Sequence, residues 1–440
     1  MTTIGGRMTG HRGPTGATAV WAVAATAYLV AVVHRTALGV AGVEAIARFD
    51  LGATGLALFS VLQLAVYALL QIPAGRLVDR LGARTLITVG SAVMAVGQGV
   101  LAVADDVPTA LVARALIGGG DAAIFISACR LIAERFEPRR VPVMVQVTGL
   151  VGQSGQIVSA LAVAWVLHTS GWTTTFGVLA VAGAAVTVAA AVGIGAPPPR
   201  PPGPHTRERF VPAVRVAAQP AGTRLGFWSH FLTPFSFNVV AMLWGVPFFV
   251  TAQGRTPAEA SLLLTAMTLA AMVTGPVVGL FTGRHPLRRS WVVLMSAAAT
   301  LVAWVTVLVP DTPRPFPVLV VFAMVLGAGG PVSLVGIDYA RTFTPPDRLG
   351  TATGFVNTGG FASTIIGVLA VGVVLELVSP PGVSTYTLDA YRVAFAVLLV
   401  PWVAGVLGVV SSRRRTRVAL AQAGTVVPPL REVLRRSRPR

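Results

Sequence analysis

Three charged residues stand in stretches that otherwise carry no charge. Arg35 lies in "VAVVHRTALGV", and Arg114 and Asp121 lie in "TALVARALIGGGDAAIF". Arg114 and Asp121 are seven positions apart, which on a helix puts them on one face, two turns from each other. A guanidinium clasps a carboxylate or another oxyanion through two parallel N–H donors. Two of them in apolar surroundings would draw an anion out of water. An aspartate among them could carry a proton, or pair with an arginine while the site is empty. His34, beside Arg35, could also titrate. The competing reading is structural, a permanent Arg–Asp bridge that holds two helices together.

The surroundings decide how unusual those charges are. Of 440 residues, 54% are hydrophobic and only 11% charged, against about 25% charged in soluble domains. The mean hydropathy is +0.75. Apolar runs recur along the whole length, each close to the ~20 residues that cross a bilayer as a helix. Their breaks predict twelve transmembrane helices, near 18–45, 54–75, 86–104, 108–133, 142–167, 172–194, 224–251, 258–281, 290–309, 315–340, 350–377 and 389–411. The expected fold class is an all-α polytopic membrane protein. A tail, 1–17, leads into a six-helix bundle over 18–194; a proline- and arginine-rich linker, 195–223, leads into a second over 224–411, followed by a basic tail, 412–440. The linker is expected neither to continue a helix nor to build a core. Ionised groups inside such helices are expensive, which makes Arg35, Arg114 and Asp121 functional candidates by default.

The formal net charge is +18, and all 34 basic residues are arginine. Such a balance first suggests nucleic acid, but position argues otherwise. With the N-terminus in the cytoplasm, 27 arginines fall in the tails and inward connections. Four, Arg48, Arg255, Arg314 and Arg392, fall in the outer ones. This is the positive-inside pattern; the charge is topology and contact with anionic lipid, and no nucleic-acid partner is expected. The expected location is a bacterial inner (plasma) membrane, with both termini cytoplasmic. Arg7 and Arg12 precede the first helix without an A-x-A-type site, so no cleaved leader is expected. A lone cysteine, Cys129, excludes an intramolecular disulfide and a cysteine metal cluster. No metal or other cofactor is expected, and without lysine there is no Walker motif to drive transport by ATP.

The two halves repeat. "GRLVDRLGAR" at 75–84 aligns with "GLFTGRHPLR" at 279–288, matching Gly75 to Gly279, Arg80 to Arg284 and Arg84 to Arg288. "TG" at 148–149 aligns with "TG" at 353–354. A six-helix unit repeated in parallel places a midplane cavity between the halves. Six plus six helices, with G-x-L-x-D-R-x-G-x-R after the second, resemble the major facilitator superfamily over about residues 18 to 411. The signature is matched at Gly75, Leu77, Asp79, Arg80, Gly82 and Arg84. Gly75 admits a neighbouring helix, and Gly82 permits the turn back into the membrane. The resemblance implies two pseudo-symmetric bundles working by alternating access. It also implies that Asp79 latches the halves on the cytoplasmic side, facing the start of the eleventh helix near Gly350, with Arg130 as a candidate partner. Arg80 and Arg84 belong to that latch or anchor topology. Gly283 occupies the place of Asp79 in the second half, so the latch is expected to be one-sided.

In the family the first and fourth helices line the cavity. That implies Arg35 and Arg114 as substrate clamps, with Asp121 and His34 as proton-coupling candidates. Gln63, Gln71, Gln146, Gln153, Ser154, Gln156, Asn238 and Asn357 each need a hydrogen-bond partner in the bilayer, and Gln153, Asn238 and Asn357 are expected in the cavity. Trp244, Phe248 and Phe249 read as packing or interfacial anchors, and Asp338 and Arg341 as snorkelling groups. "GQSG" at 152–155 and "GGGD" at 118–121 imitate intramembrane proteases. Nothing around His230 equips it as a base, however, and the second catalytic aspartate is missing. The expected function is therefore not enzymatic. It is a monomeric secondary transporter, favoured as proton-coupled uptake of a small organic anion. A proton-antiporting exporter of drugs or metabolites and a nitrate-like inorganic-anion carrier are the alternatives. The fifth helix, "GLVGQSGQIVSA", lacks the proline and closing glycine pair of exporters, and also the asparagine-containing glycine signature of nitrate carriers.

Overall fold

The computed structural model describes residues 14–50, 53–195, 209–380 and 386–425, and among them the regular structure is helical. The first six helices are α1 (Pro14–Val40), α2 (Gly42–Phe49), α3 (Ala53–Val103), α4 (Val107–Arg135), α5 (Val141–Val158) and α6 (Ala164–Gly193). A π-helical turn, Ser159–Val163, joins α5 to α6. After the linker come α7 (Phe210–Ala218), α8 (Ala221–Leu232), α9 (Phe235–Val239), α10 (Gly245–Pro247), α11 (Pro257–Arg284) and α12 (Arg289–Leu308). The chain ends with α13 (Phe316–Ser333), α14 (Val335–Phe343), α15 (Leu349–Val378), α16 (Leu388–Ala396) and α17 (Leu399–Gln422).

Among the described residues, ten helical runs are long and apolar enough to cross a membrane. Two of them, Val61–Val103 and Val141–Gly193, hold 43 and 53 residues. At ~1.5 Å per residue these would reach roughly 65 and 80 Å, more than twice the ~30 Å of a hydrocarbon core. A glycine breaks each one: Gly82 (φ 82°, ψ 161°) and Gly171 (φ 74°, ψ −178°). Positive φ is cheap for glycine and costly for other residues, so the chain turns there. Counted at these breaks, the ten runs make twelve apolar segments. The part of α3 before Gly82 is called its first arm below, and the part after it the second arm.

The chain forms two compact units. The first takes the chain up to Leu70, then Arg80–Glu137 and Val151 to the linker. Within it, α1 packs on both α4 and α6. The glycines of "GGGD" serve the packing of α4. A Cβ at Gly118 would strike the carbonyl oxygen of Gln63, and one at Gly120 would strike the Gly90 carbonyl oxygen and the Met94 side chain. Helix α4 thereby lies against both arms of α3.

The second unit takes Gln71–Asp79, Pro138–Leu150 and everything after the linker. It therefore includes two short pieces from the first half of the sequence, and glycine contacts explain both. A Cβ at Gly75 would overlap Gly350, and one at Gly354 would overlap Gln71, so the first arm of α3 meets the start of α15 backbone to backbone. The related contact sets the end of α11 on the start of α5: Gly279 lies against Val143 and Gln146, and Gly283 against the Arg139 carbonyl. The core beyond is aromatic, with Phe248, Phe249, Trp304, Phe322, Tyr391 and Phe395 buried together.

Several boundaries depart from those read off the sequence. Inside the linker, Phe210–Ala218 is helical: the proline run ends before it, and Pro212 falls in its first turn, where no N–H is needed. Its Ala213 and Ala217 are buried. The seventh expected helix, 224–251, is divided at Thr233–Pro234 and contains two π-helical turns, Val240–Trp244 and Phe248–Ala252. Helix α17 runs past 411 to Gln422, because arginine is a good helix former and carries the helix beyond its apolar part. The arginines expected to anchor the tails at 1–13 and 426–440 lie outside the described residues.

Candidate functional site

Arg35 on α1 and Asp121 on α4 form a bidentate ion pair. Nε donates to Oδ2 at 2.6 Å and Nη2 to Oδ1 at 2.9 Å. The aspartate side chain is fully buried, whereas that of Arg35 remains 22% exposed. The Tyr67 ring centroid lies 4.7 Å from the Arg35 Cζ, a cation–π contact.

Arg114 is placed differently. It is 2% exposed and makes no ion pair among the described residues. Its donors reach only backbone carbonyls, Nε to Phe59 at 3.4 Å and Nη2 to Arg35 at 3.5 Å. Both contacts lie at the outer limit of hydrogen bonding. Its Nη1 is buried with no partner at all. Two guanidiniums thus share one carboxylate, and Arg35 alone holds it. A buried charge without a counter-charge is costly, and a small anion at Arg114 would relieve that cost.

His34 is not brought to this cluster. Consecutive residues of a helix point about 100° apart, and the imidazole turns instead to α6. Its Nε2 donates to the Leu179 carbonyl at 3.0 Å, in a gap that Gly183 leaves open.

Asp79, at the end of the first arm of α3, accepts three hydrogen bonds from the start of α15. They come from Gly350 N and Thr351 N, both at 2.7 Å, and from Thr351 Oγ1 at 2.6 Å. Unsatisfied N–H groups and the positive end of the helix dipole favour a carboxylate there. Two turns further along α15, Asn357 Nδ2 donates to Gln71 Oε1 at 2.6 Å. Arg80 is exposed, and Arg84 donates from Nη2 to the Ala191 carbonyl on α6. Arg130, in the first unit, donates from Nε to Glu134 Oε1 at 2.7 Å.

Two overlapping stretches of the chain, residues 24–252 and 226–439, match the sequence profile of the Major Facilitator Superfamily. The chain belongs to that superfamily. Superfamily members are transporters, not enzymes, and the ten apolar runs make this one a multi-pass membrane protein. Two curated relatives carry the name "Probable nitrate/nitrite transporter NarK2", from Mycobacterium tuberculosis strains CDC 1551 / Oshkosh and ATCC 25618 / H37Rv. Each is 29% identical over 151 residues, 33% of this chain and 35% of the relative. The similarity therefore spans about a third of the relatives' length.

The remaining polar candidates of this facilitator have separate surroundings. Asn238 Nδ2 donates to Thr364 Oγ1 at 2.9 Å, and Asn357 is engaged by Gln71, both within the second unit. Gln153, in the first unit, has a buried Oε1 without a partner. Ser154 Oγ donates to the Val151 carbonyl of its own helix, and His230 Nδ1 donates to the Ser333 carbonyl. Asp338 and Arg341 do not snorkel: Asp338 is buried between Arg341 and Arg289. Sequence reasoning passed over Phe59, Tyr67 and Glu134, and gave Gln63 no place in the site. Phe59, Gln63 and Tyr67 follow one another every four residues, the spacing of one helix face. That signal was present, but nothing in the sequence says that this face turns to α4.

Proposed function

We propose that the protein is a secondary transporter that takes up a small anion by alternating access, with Arg35, Arg114 and Asp121 as its binding and coupling site. The observation that carries this reading is the uneven neutralisation of the two arginines. Asp121 occupies Arg35, and the positive charge of Arg114 is left for the solute. A proton taken up by Asp121 would free Arg35 to join Arg114 on the anion. Before loading, the cluster holds two positive charges and one negative one. After one proton and one singly charged anion enter, the sum is unchanged, so the loaded and empty carriers face the same electrostatic barrier in the membrane. This supports symport of the anion with a proton.

Nitrate and nitrite, the solutes in the relatives' name, are compact oxyanions and the first to test. The other reading, a small organic carboxylate, draws support from the bidentate clasp that Arg35 already makes on the carboxylate of Asp121. Export is disfavoured by the missing proline and glycine pair of the fifth helix. Gln153 stays in the proposed lining because its buried oxygen has no partner, whereas Asn238 and Asn357 are already engaged. Asp79, with Gly75, Arg80, Gly82, Arg84 and Arg130, is the proposed latch. The proposed setting is a bacterial plasma membrane with both termini in the cytoplasm.

The test is uptake of nitrate, nitrite and acetate into proteoliposomes, with and without an inward proton gradient. Accumulation should require the gradient and should fail in Arg35→Ala and Arg114→Ala. Wild-type uptake by both variants overturns the site, and accumulation indifferent to the gradient overturns the coupling.

A further inference from the structure

Gln63, on the first arm of α3, is 1% exposed, and neither its amide nitrogen nor its amide oxygen has a hydrogen-bond partner. Leaving such a group unpaired is costly, a cost that a leucine of similar size would avoid. The chain nevertheless places a glutamine there.

Its neighbourhood offers a reason. Phe59 and Gln63 are one turn apart on α3, and Arg114 and Gly118 are one turn apart on α4. Arg114 Nε reaches the Phe59 carbonyl. One turn on, Gly118 lies so close that a Cβ would strike the Gln63 carbonyl oxygen and crowd its Cγ. The two helices run side by side in this register, Arg114 with Phe59 and Gly118 with Gln63. Two unused buried donors, Arg114 Nη1 and Gln63 Nε2, therefore belong to adjacent rungs of one helix contact. The short, two-bond bridge between Arg35 and Asp121 is already closed. The Arg114 contacts, at 3.4 and 3.5 Å, are long, and little is lost when an anion replaces them.

We infer that Gln63 and Arg114 form one recess for an oxyanion. Arg114 supplies the charge and one donor, and the Gln63 amide N–H fixes a second oxygen of the same solute. Gln63 is then the residue that selects oxyanions over spherical halides. A halide satisfies a single charged donor as well as an oxyanion does, but only an oxyanion offers donors on two successive turns an oxygen each. The inference rests on the proposed anion site and adds to it a residue and a selectivity.

Binding of nitrate and of bromide to the purified full-length protein, by calorimetry and by ligand-dependent melting, tests it. Gln63→Leu should weaken nitrate about tenfold and leave bromide within about twofold, while the ligand-free protein melts no lower than wild type. Gln63→Met repeats the test should the leucine variant fail to fold, and Gln63→Glu, which adds a negative charge, should weaken both anions. Nitrate affinity within about twofold of wild type in both Gln63→Leu and Gln63→Met overturns the inference, as does equal weakening of nitrate and bromide. Arg114→Ala separates the two proposals. Should it abolish nitrate binding while Gln63→Leu and Gln63→Met leave nitrate within about twofold of wild type, the recess falls and the anion site stands. Should wild-type protein bind none of nitrate, bromide and acetate, both fall.

Discussion

Each of the two units holds a cluster of two arginines around one buried aspartate, and the two clusters are wired differently. In the second unit Asp338 serves both partners. Arg341 donates Nε and Nη2 to Oδ1 at 3.0 and 2.7 Å, and Arg289 Nε lies 2.7 Å from Oδ2, close as a charge although its N–H is not aimed along the contact. Arg289 also donates Nη1 to Thr342 Oγ1 at 2.8 Å and lies 5.6 Å from the Tyr339 ring. Every charge there is answered by the protein itself. In the first unit Asp121 faces one arginine with both oxygens, and Arg114 has only two distant carbonyls. The formal charge of the two clusters is the same. What separates a strut from a candidate binding site is how the single carboxylate is shared, and a buried charge is a functional signal only where it is unshared.

The largest effect should come from removing the unshared arginine. Arg114→Ala should lower proton-driven anion uptake by roughly 100-fold or more, the scale of losing one partner of a buried charge contact. Arg341→Ala should leave uptake within about twofold at a temperature where the protein is folded. Equal losses in proteoliposome assays would erase the distinction between the clusters.

The aspartates should then behave in the opposite way. Asp338→Ala strands the buried Arg289 and the partly buried Arg341 and should destabilise the fold by about 3–5 kcal/mol, read as a lower melting temperature in detergent. Asp121→Asn keeps one oxygen for Arg35 and should melt close to wild type. It should permit solute exchange yet abolish gradient-driven accumulation. Retained accumulation in Asp121→Asn makes that residue a strut like Asp338.

A smaller effect is expected at Asp79, whose carboxylate caps the start of α15. Asp79→Ala should cost about 1 kcal/mol, seen as a modest fall in melting temperature. Gly350→Ala should cost more, because its Cβ would overlap Gly75 and Val78. The reverse order would mean that the helix cap, not the close approach, holds these segments together.

The smallest effect concerns Asp106, which caps the start of the helix that carries Arg114 and Asp121. It accepts from Thr109 N and Thr109 Oγ1, both at 2.8 Å, and the two bonds hold its carboxyl below the ordinary carboxylate range. A carboxyl depressed on folding contributes stability that is fully present above its unfolded value and is lost as pH falls through the folded one. The melting temperature of wild type should therefore drop slightly more steeply on acidification than that of Asp106→Asn. Parallel pH profiles would show that the cap contributes nothing.

Much of the fold could be read from the chain. The breaks at Gly82 and Gly171 fall between predicted helices, and the aromatics Phe248 and Phe249 are packed in a core. Boundaries failed where charge and apolarity gave conflicting cues. Arginines suggested a tail after 411, but helix propensity carries α17 on to Gln422. The candidate site was legible as a set of residue types and illegible as a set of pairs. Arg114 and Asp121 share a face of α4, yet the carboxylate turns to Arg35 on another helix. His34 is adjacent to Arg35 in sequence and bonds to α6 instead.

Sequence alone determined that this chain spans a membrane, because hydrocarbon demands long apolar helices and those leave an unmistakable composition; the motif at 75–84 carried its resemblance to the facilitators. Sequence also determined which few charges had to be explained. Only the tertiary structure decided which of them are spent on one another, because a carboxylate chooses its partner by distance and direction between helices that lie far apart in the chain. The unanswered donors of Arg114 and Gln63 exist only at that level.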